Sequence, residues 1–173
     1  MPANKKPRKK SYRPKTVWKV PPILFQQEPD AKFVAMLDEE VRTAFISLLM
    51  QSGDEKSFRI VLRHLLLGTL LVEKFLDSQS LREHLQMQAE KTIDALVKFK
   101  SDGTYDREAV SAVESDARVV SEIVSKAPAA DVGMVMNYLA KKADETIDKL
   151  IAARERDLEE LRRSLSAASA DTA

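Results

Sequence analysis

Proline and glycine are spread so unevenly along this chain that they almost decide where helix can form. Six of the seven prolines, Pro2, Pro7, Pro14, Pro21, Pro22 and Pro29, fall within the first 29 residues. There they remove backbone donors, restrict φ and favour extended, polyproline-like backbone. From Asp30 to Ala173 there is one proline, Pro128, and four well-separated glycines, Gly53, Gly68, Gly103 and Gly133, so long helices can run between them. The expected fold is all-α: an extended arm over residues 1–29, an antiparallel bundle of four to five helices over 30–165, and a frayed tail over 166–173.

Apolar spacing places the helices. Asp30 is a good N-cap for a first helix to about Gln51, with Phe33, Leu37, Val41, Ala44, Phe45, Leu48 and Leu49 at helical intervals. Gly53 reads as its left-handed stop, and Ser52 with Glu55 as a capping box for the second helix. Between Ile60 and Val72 that second helix has almost no polar face, which marks the centre of a bundle. The same run is too short to span a bilayer and contains Arg63 and His64. Asp77, Ser78 and Ser80, with the capping spacing from Ser80 to Glu83, mark a kink or break before a third helix, with one bent helix of more than forty residues as the alternative.

Ser101-Asp102-Gly103-Thr104 reads as a loop, followed by a helix whose Val110, Val113, Ala117, Val120 and Val124 form a narrow heptad seam of small residues. Pro128 ends that helix and Asp131 can cap the last one. Beyond Arg154 the last helix thins to Leu158, Leu161 and Leu165, flanked by Arg156–Glu160 and Glu159–Arg163 at i,i+4. Seam and stripe are the two candidate coiled-coil surfaces for a homo-oligomer or a host-protein partner.

Catalytic signals are weak. There is no cysteine, which removes disulfides, thiol chemistry and Cys-based zinc sites together. The glycines are too far apart for a phosphate cradle, and neither His64 nor His84 has a Glu three residues before it, as a di-iron bundle requires. His64 reads as a core or edge histidine and His84 as a surface one, neither with an evident orienting partner. The expectation is a non-enzymatic protein with no cofactor, metal or small-molecule substrate. The Val17–Phe25 stretch is broken by Lys19, Pro21 and Pro22, so no secretory signal is read there and a cytoplasmic location is expected.

Charge adds the functional clue. Residues 1–22 hold eight cations and no acid, so of 28 Lys and Arg against 27 Asp and Glu, the remaining chain keeps 20 against 27. A formal net charge of +1 therefore conceals +8 on the arm and −7 on the rest. The arm's Lys5, Lys6, Arg8, Lys9, Lys10, Arg13, Lys15 and Lys19 are interleaved with Tyr12 and Trp18, which can stack on bases. Nucleic acid, DNA or RNA, is the expected partner. A partnerless solubilising leader, an acidic protein surface and a localisation signal are the alternatives. Trp18, Val20, Ile23, Leu24 and Phe25 are too apolar for a free tail, so residues 17–25 are expected to pack on the body.

The opening Lys9-Lys10-Ser11-Tyr12-Arg13-Pro14-Lys15-Thr16-Val17, followed by a helix with Thr43-Ala44-Phe45 and a Gly-containing turn, resembles small uncharacterised helical proteins of proteobacterial phages and prophages. That resemblance implies a bacterial cytoplasm and a phage-encoded role, and carries over no catalytic residue.

Overall fold

The computed structural model describes residues 27–76 and 78–170, which form five helices and no strand among the described residues. Helix α1 spans Ala31–Leu49, and the Asp30 carboxylate caps it by accepting from the Lys32 N–H at 2.8 Å. The turn that follows differs from the expectation. Gln51, at φ 56°, takes the left-handed position, while Gly53 is required by crowding, because a Cβ there would lie 2.6 Å from Leu48 Cδ2. The cap of α2 (Glu55–Leu71) is Asp54, not Ser52, with the Ser57 N–H and Oγ donating to its carboxylate at 2.9 and 3.0 Å. Those bonds favour the ionised form and hold the Asp54 carboxyl below its ordinary pKa.

Helix α2 ends in a π-turn, Val72–Leu76, that brings Phe75 and Leu76 to the surface. A break follows before α3 (Gln79–Asp102), so the single bent helix is excluded. Ser78 holds the N-cap position of α3, with no side-chain cap bond, in place of the expected Ser80. Gly103 closes α3 at φ 69°, where its N–H donates to the Phe99 carbonyl at 2.8 Å. Asp106 caps α4 (Arg107–Lys126), and Pro128 turns the chain into α5 (Ala129–Ala170). Asp131 lies inside the first turn of α5, paired with Lys74 across the bundle, not at its cap. Backbone donors at a helix start lack partners within the helix, and here the Ala129 N–H is satisfied by the Gln27 carbonyl at 2.6 Å. The 42 residues of α5 make a rod of about 63 Å at 1.5 Å per residue.

Helix α2 packs against all four others. Phe58, Val61, Leu62, Leu65, Leu67 and Leu71 are each at most 2% exposed, and each buried side chain of this kind stabilises the fold by about 1.5–3 kcal/mol. Cross-helix contacts give the directions. Lys74–Asp131, Arg63–Asp144 and Arg59–Asp148 run in opposite order along α2 and α5, so these two are antiparallel. Gly68 faces Val120 and His64 faces Ala117, so α2 and α4 run the same way. At one end Phe58, Phe99 and Tyr105 pack with ring centroids 5.1–5.7 Å apart, and the Tyr105 hydroxyl donates to the Leu48 carbonyl at 2.6 Å. That bond satisfies a C-terminal carbonyl of α1 and ties the α3–α4 loop to it.

Gly68 sets the spacing of α2 and α4. A Cβ there would meet Val120 Cγ2 at 2.4 Å and Leu85 Cδ1 at 3.2 Å, and a helical valine has little freedom to turn away. Gly68→Ala gains up to ~1 kcal/mol of helix propensity but overpacks the core at a cost of about 1–3 kcal/mol. A net loss of stability is expected, and Gly68→Ala/Val120→Ala should be less destabilised than the two single variants summed. Urea denaturation of the three variants checks this.

Candidate functional site

The arm carries the sequence-derived nucleic-acid residues, Lys5, Lys6, Arg8, Lys9, Lys10, Tyr12, Arg13, Lys15, Trp18 and Lys19, and all of them lie outside the described residues, as does the expected packing of residues 17–25. The structure does place the point where the arm joins the body. Through the Gln27–Ala129 bond the joining residues sit at the start of α5, beside the start of α1.

The heptad seam is not an outer surface. Val110, Val113, Ala117, Val120 and Val124 are each no more than 5% exposed, packed into the bundle's own core. As an oligomer or partner interface the seam is therefore corrected: its small residues let α4 approach α1, α2 and α3 within one chain. The stripe on α5 is split. Leu158 is partly buried against the core, Leu161 is 55% exposed, and the side chain of Leu165 lies outside the description. The helix continues to Ala170, past the expected end at 165, through a Ser- and Ala-rich stretch. Of the two expected ion pairs, Arg163 bonds Glu159, whereas Arg156 Nε donates to the Ala152 carbonyl at 3.2 Å.

Both histidines have partners that sequence reading did not find. His84 Nε2 lies 2.9 Å from Asp116 Oδ1, joining α3 to α4 where the histidine side chain is 42% exposed and the aspartate 16%. The two residues are 32 apart in sequence, and nothing in their spacing links them. His64 is buried, with Nε2 3.0 Å from the Ala117 carbonyl and 3.4 Å from Ser121 Oγ. Because a carbonyl only accepts, Nε2 carries the proton in this contact. Among the described residues no group of three or more His, Asp or Glu is placed to hold a metal ion, and no helix is long and apolar enough to cross a membrane.

No protein-family model matches this chain, and neither a curated protein nor a solved structure matches it. Its surfaces must speak for themselves.

Two features stand out. Ion pairs occupy many of the body's cations: Arg59 with Glu55 and Asp148, Arg63 with Asp144, Arg154 with Asp94, and Lys142 and Lys149 with Glu145. Two flanking lysines hold the Glu145 carboxyl down to about 2. The second is a groove of about 360 Å³ between α1 and α5, floored by α2. Leu37 and Val41, Ile60 and Leu67, and Met136 and Leu139 line it from the three helices, with Glu40, Arg63 and His64 supplying polar atoms. Sequence patterning missed this groove because a half-buried face next to a gap has the same periodicity as one next to a neighbour.

Burial lowers the His64 pKa below its ordinary 6.5, against a smaller raising effect of the Ala117 carbonyl. As pH falls through 6.5 the unfolded chain takes up a proton that the folded ring refuses, so the unfolded state binds more protons and stability drops. His64→Gln keeps a donor for the Ala117 carbonyl and cannot titrate. Denaturation midpoints measured from above to below pH 6.5 should fall more steeply for the wild type than for His64→Gln.

Proposed function

We propose that this chain is a non-enzymatic helical protein whose basic N-terminal arm contacts nucleic-acid phosphates in a regulatory, packaging or accessory role. The observation that carries the reading is the separation of charge, eight cations without an acid over residues 1–22 against an acidic remainder. Phosphate contacts by clustered Lys and Arg release counterions and supply affinity without sequence choice, and Tyr12 and Trp18 add stacking surfaces. The body's ion pairs support the same division. Arg59, Arg63 and Arg154 are engaged with acids of neighbouring helices, and Asp38, Glu39 and Glu40 are exposed on α1, which disfavours laying that face on a polyanion. The likeness of Lys9–Val17 to phage and prophage leaders supports a phage-encoded protein acting in a bacterial cytoplasm.

A second reading, a protein-interaction or inhibitor module working as a homo-oligomer or on a host protein, is favoured by one observation. Leu161 is exposed on α5 beyond the level of the last turn of α3, where Lys100 pairs with Glu155. For this reading, sedimentation of the full chain should show self-association that Leu161→Asp abolishes; a strictly monomeric wild-type chain that captures no partner removes it.

For the main reading, binding of the full chain and of residues 17–173 to DNA and RNA is compared across a salt series. With all eight cations engaged, log K falls against log salt with a slope of about −7 on B-form DNA, and less steeply if fewer make contact. Equal affinity of the two chains, or binding indifferent to salt, would sink the proposal.

A further inference from the structure

We propose that the groove between α1 and α5 is the seat of the chain's own residues 17–25, docked through Trp18, Ile23, Leu24 and Phe25. The proposal stands on the body's geometry and does not depend on nucleic-acid binding.

Three observations support it. The first is where the described chain begins. Helices α1 and α5 both run opposite to α2, so their N-terminal ends lie at one end of the groove, and the Gln27–Ala129 bond brings the chain in at that end. The second is reach. From Ala129 to Ala140, the farthest groove residue on α5, the helix rises about 16 Å. The seven steps from Phe25 back to Trp18, extended by Pro21 and Pro22, cover about 22 Å at polyproline spacing. Counted from Gln27, opposite Ala129, the nine steps back to Trp18 span up to about 28 Å, so the segment can run the groove's length with slack and Trp18 can reach any part of it.

The third is chemistry. Residues 17–25 are apolar except for Lys19, and the groove offers Leu37, Val41, Met136 and Leu139 with the exposed acid Glu40, which has no ion pair among the described residues and against which Lys19 can sit. Arg63 does not repel it strongly, since its guanidinium is engaged by both carboxylate oxygens of Asp144 at 2.6 and 2.7 Å. An indole in this groove also covers the exposed side of Ile60. Docking would leave seven of the arm's eight cations, Lys5 to Lys15, ahead of the seat.

Trp18 is the chain's one tryptophan, so its fluorescence reports the seat directly. The full-length protein alone, without nucleic acid, should show a blue-shifted emission maximum and weak quenching by iodide. Ala140→Arg and Met136→Lys, at an exposed and a half-buried groove position, should each shift the emission red and raise quenching while far-ultraviolet circular dichroism stays unchanged. Nuclear Overhauser contacts from the Trp18 indole to the Met136 methyl group provide a readout that needs no variant. A water-like Trp18 emission in the wild type overturns the proposal. So does a buried emission that both groove variants leave unchanged. A blue shift that disappears on dilution also overturns it, because the groove would then belong to the segment of a second copy.

Discussion

The enclosure of α2 is the constraint on which this bundle depends. A helix apolar on nearly all sides cannot be satisfied by one partner, and here α1, α3, α4 and α5 each take a share of its surface. Enclosure at this density needs one neighbour to come closer than side chains ordinarily allow, and Gly68 provides that opening for Val120. His64 follows from the same packing. A histidine one turn from Gly68, on the buried side of α2, is pushed by burial toward its neutral form and places Nε2 against the Ala117 carbonyl.

How much of this was legible in the sequence varies with the range of the interaction. The all-α class and the central place of α2 follow from the proline distribution and the Ile60–Val72 run, because both act within one element. Asp30 and Gly103 bound their helices where the sequence places them, whereas the turn between α1 and α2 is shifted by two positions. Ser52, Gly53 and Asp54 are all good candidates by type, and the structure puts the left-handed residue at Gln51, the close approach to Leu48 at Gly53 and the cap at Asp54. The seam on α4 was read correctly as a packing surface, but periodicity carries no label for which chain does the packing. His84–Asp116 and the α1–α5 groove needed the tertiary arrangement, since no local spacing encodes either. The arm was legible as clustered charge with two interleaved aromatics and an apolar stretch over 17–25.

The same charges have two separate uses along this chain. In the body, acids and bases meet across helices: Asp144 and Asp148 fasten α5 to Arg63 and Arg59 of α2, and Asp94 fastens it to α3. Exposed pairs of this kind add at most about 1 kcal/mol each, so they fix which way α5 lies more than how firmly it holds. Over residues 1–22 there is no acid to meet, and the cations there must look beyond their own segment.

The Gln27–Ala129 bond has a mechanical consequence. Without it, tension on the N-terminal segment would be applied first to Asp30 and would peel α1 from the bundle turn by turn, a weak unzipping geometry. With it, the force path divides before α1 begins, and part passes into the start of α5 beside Pro128, the corner from which that rod departs. The pulled chain thus meets the start of α5 as well as the start of α1.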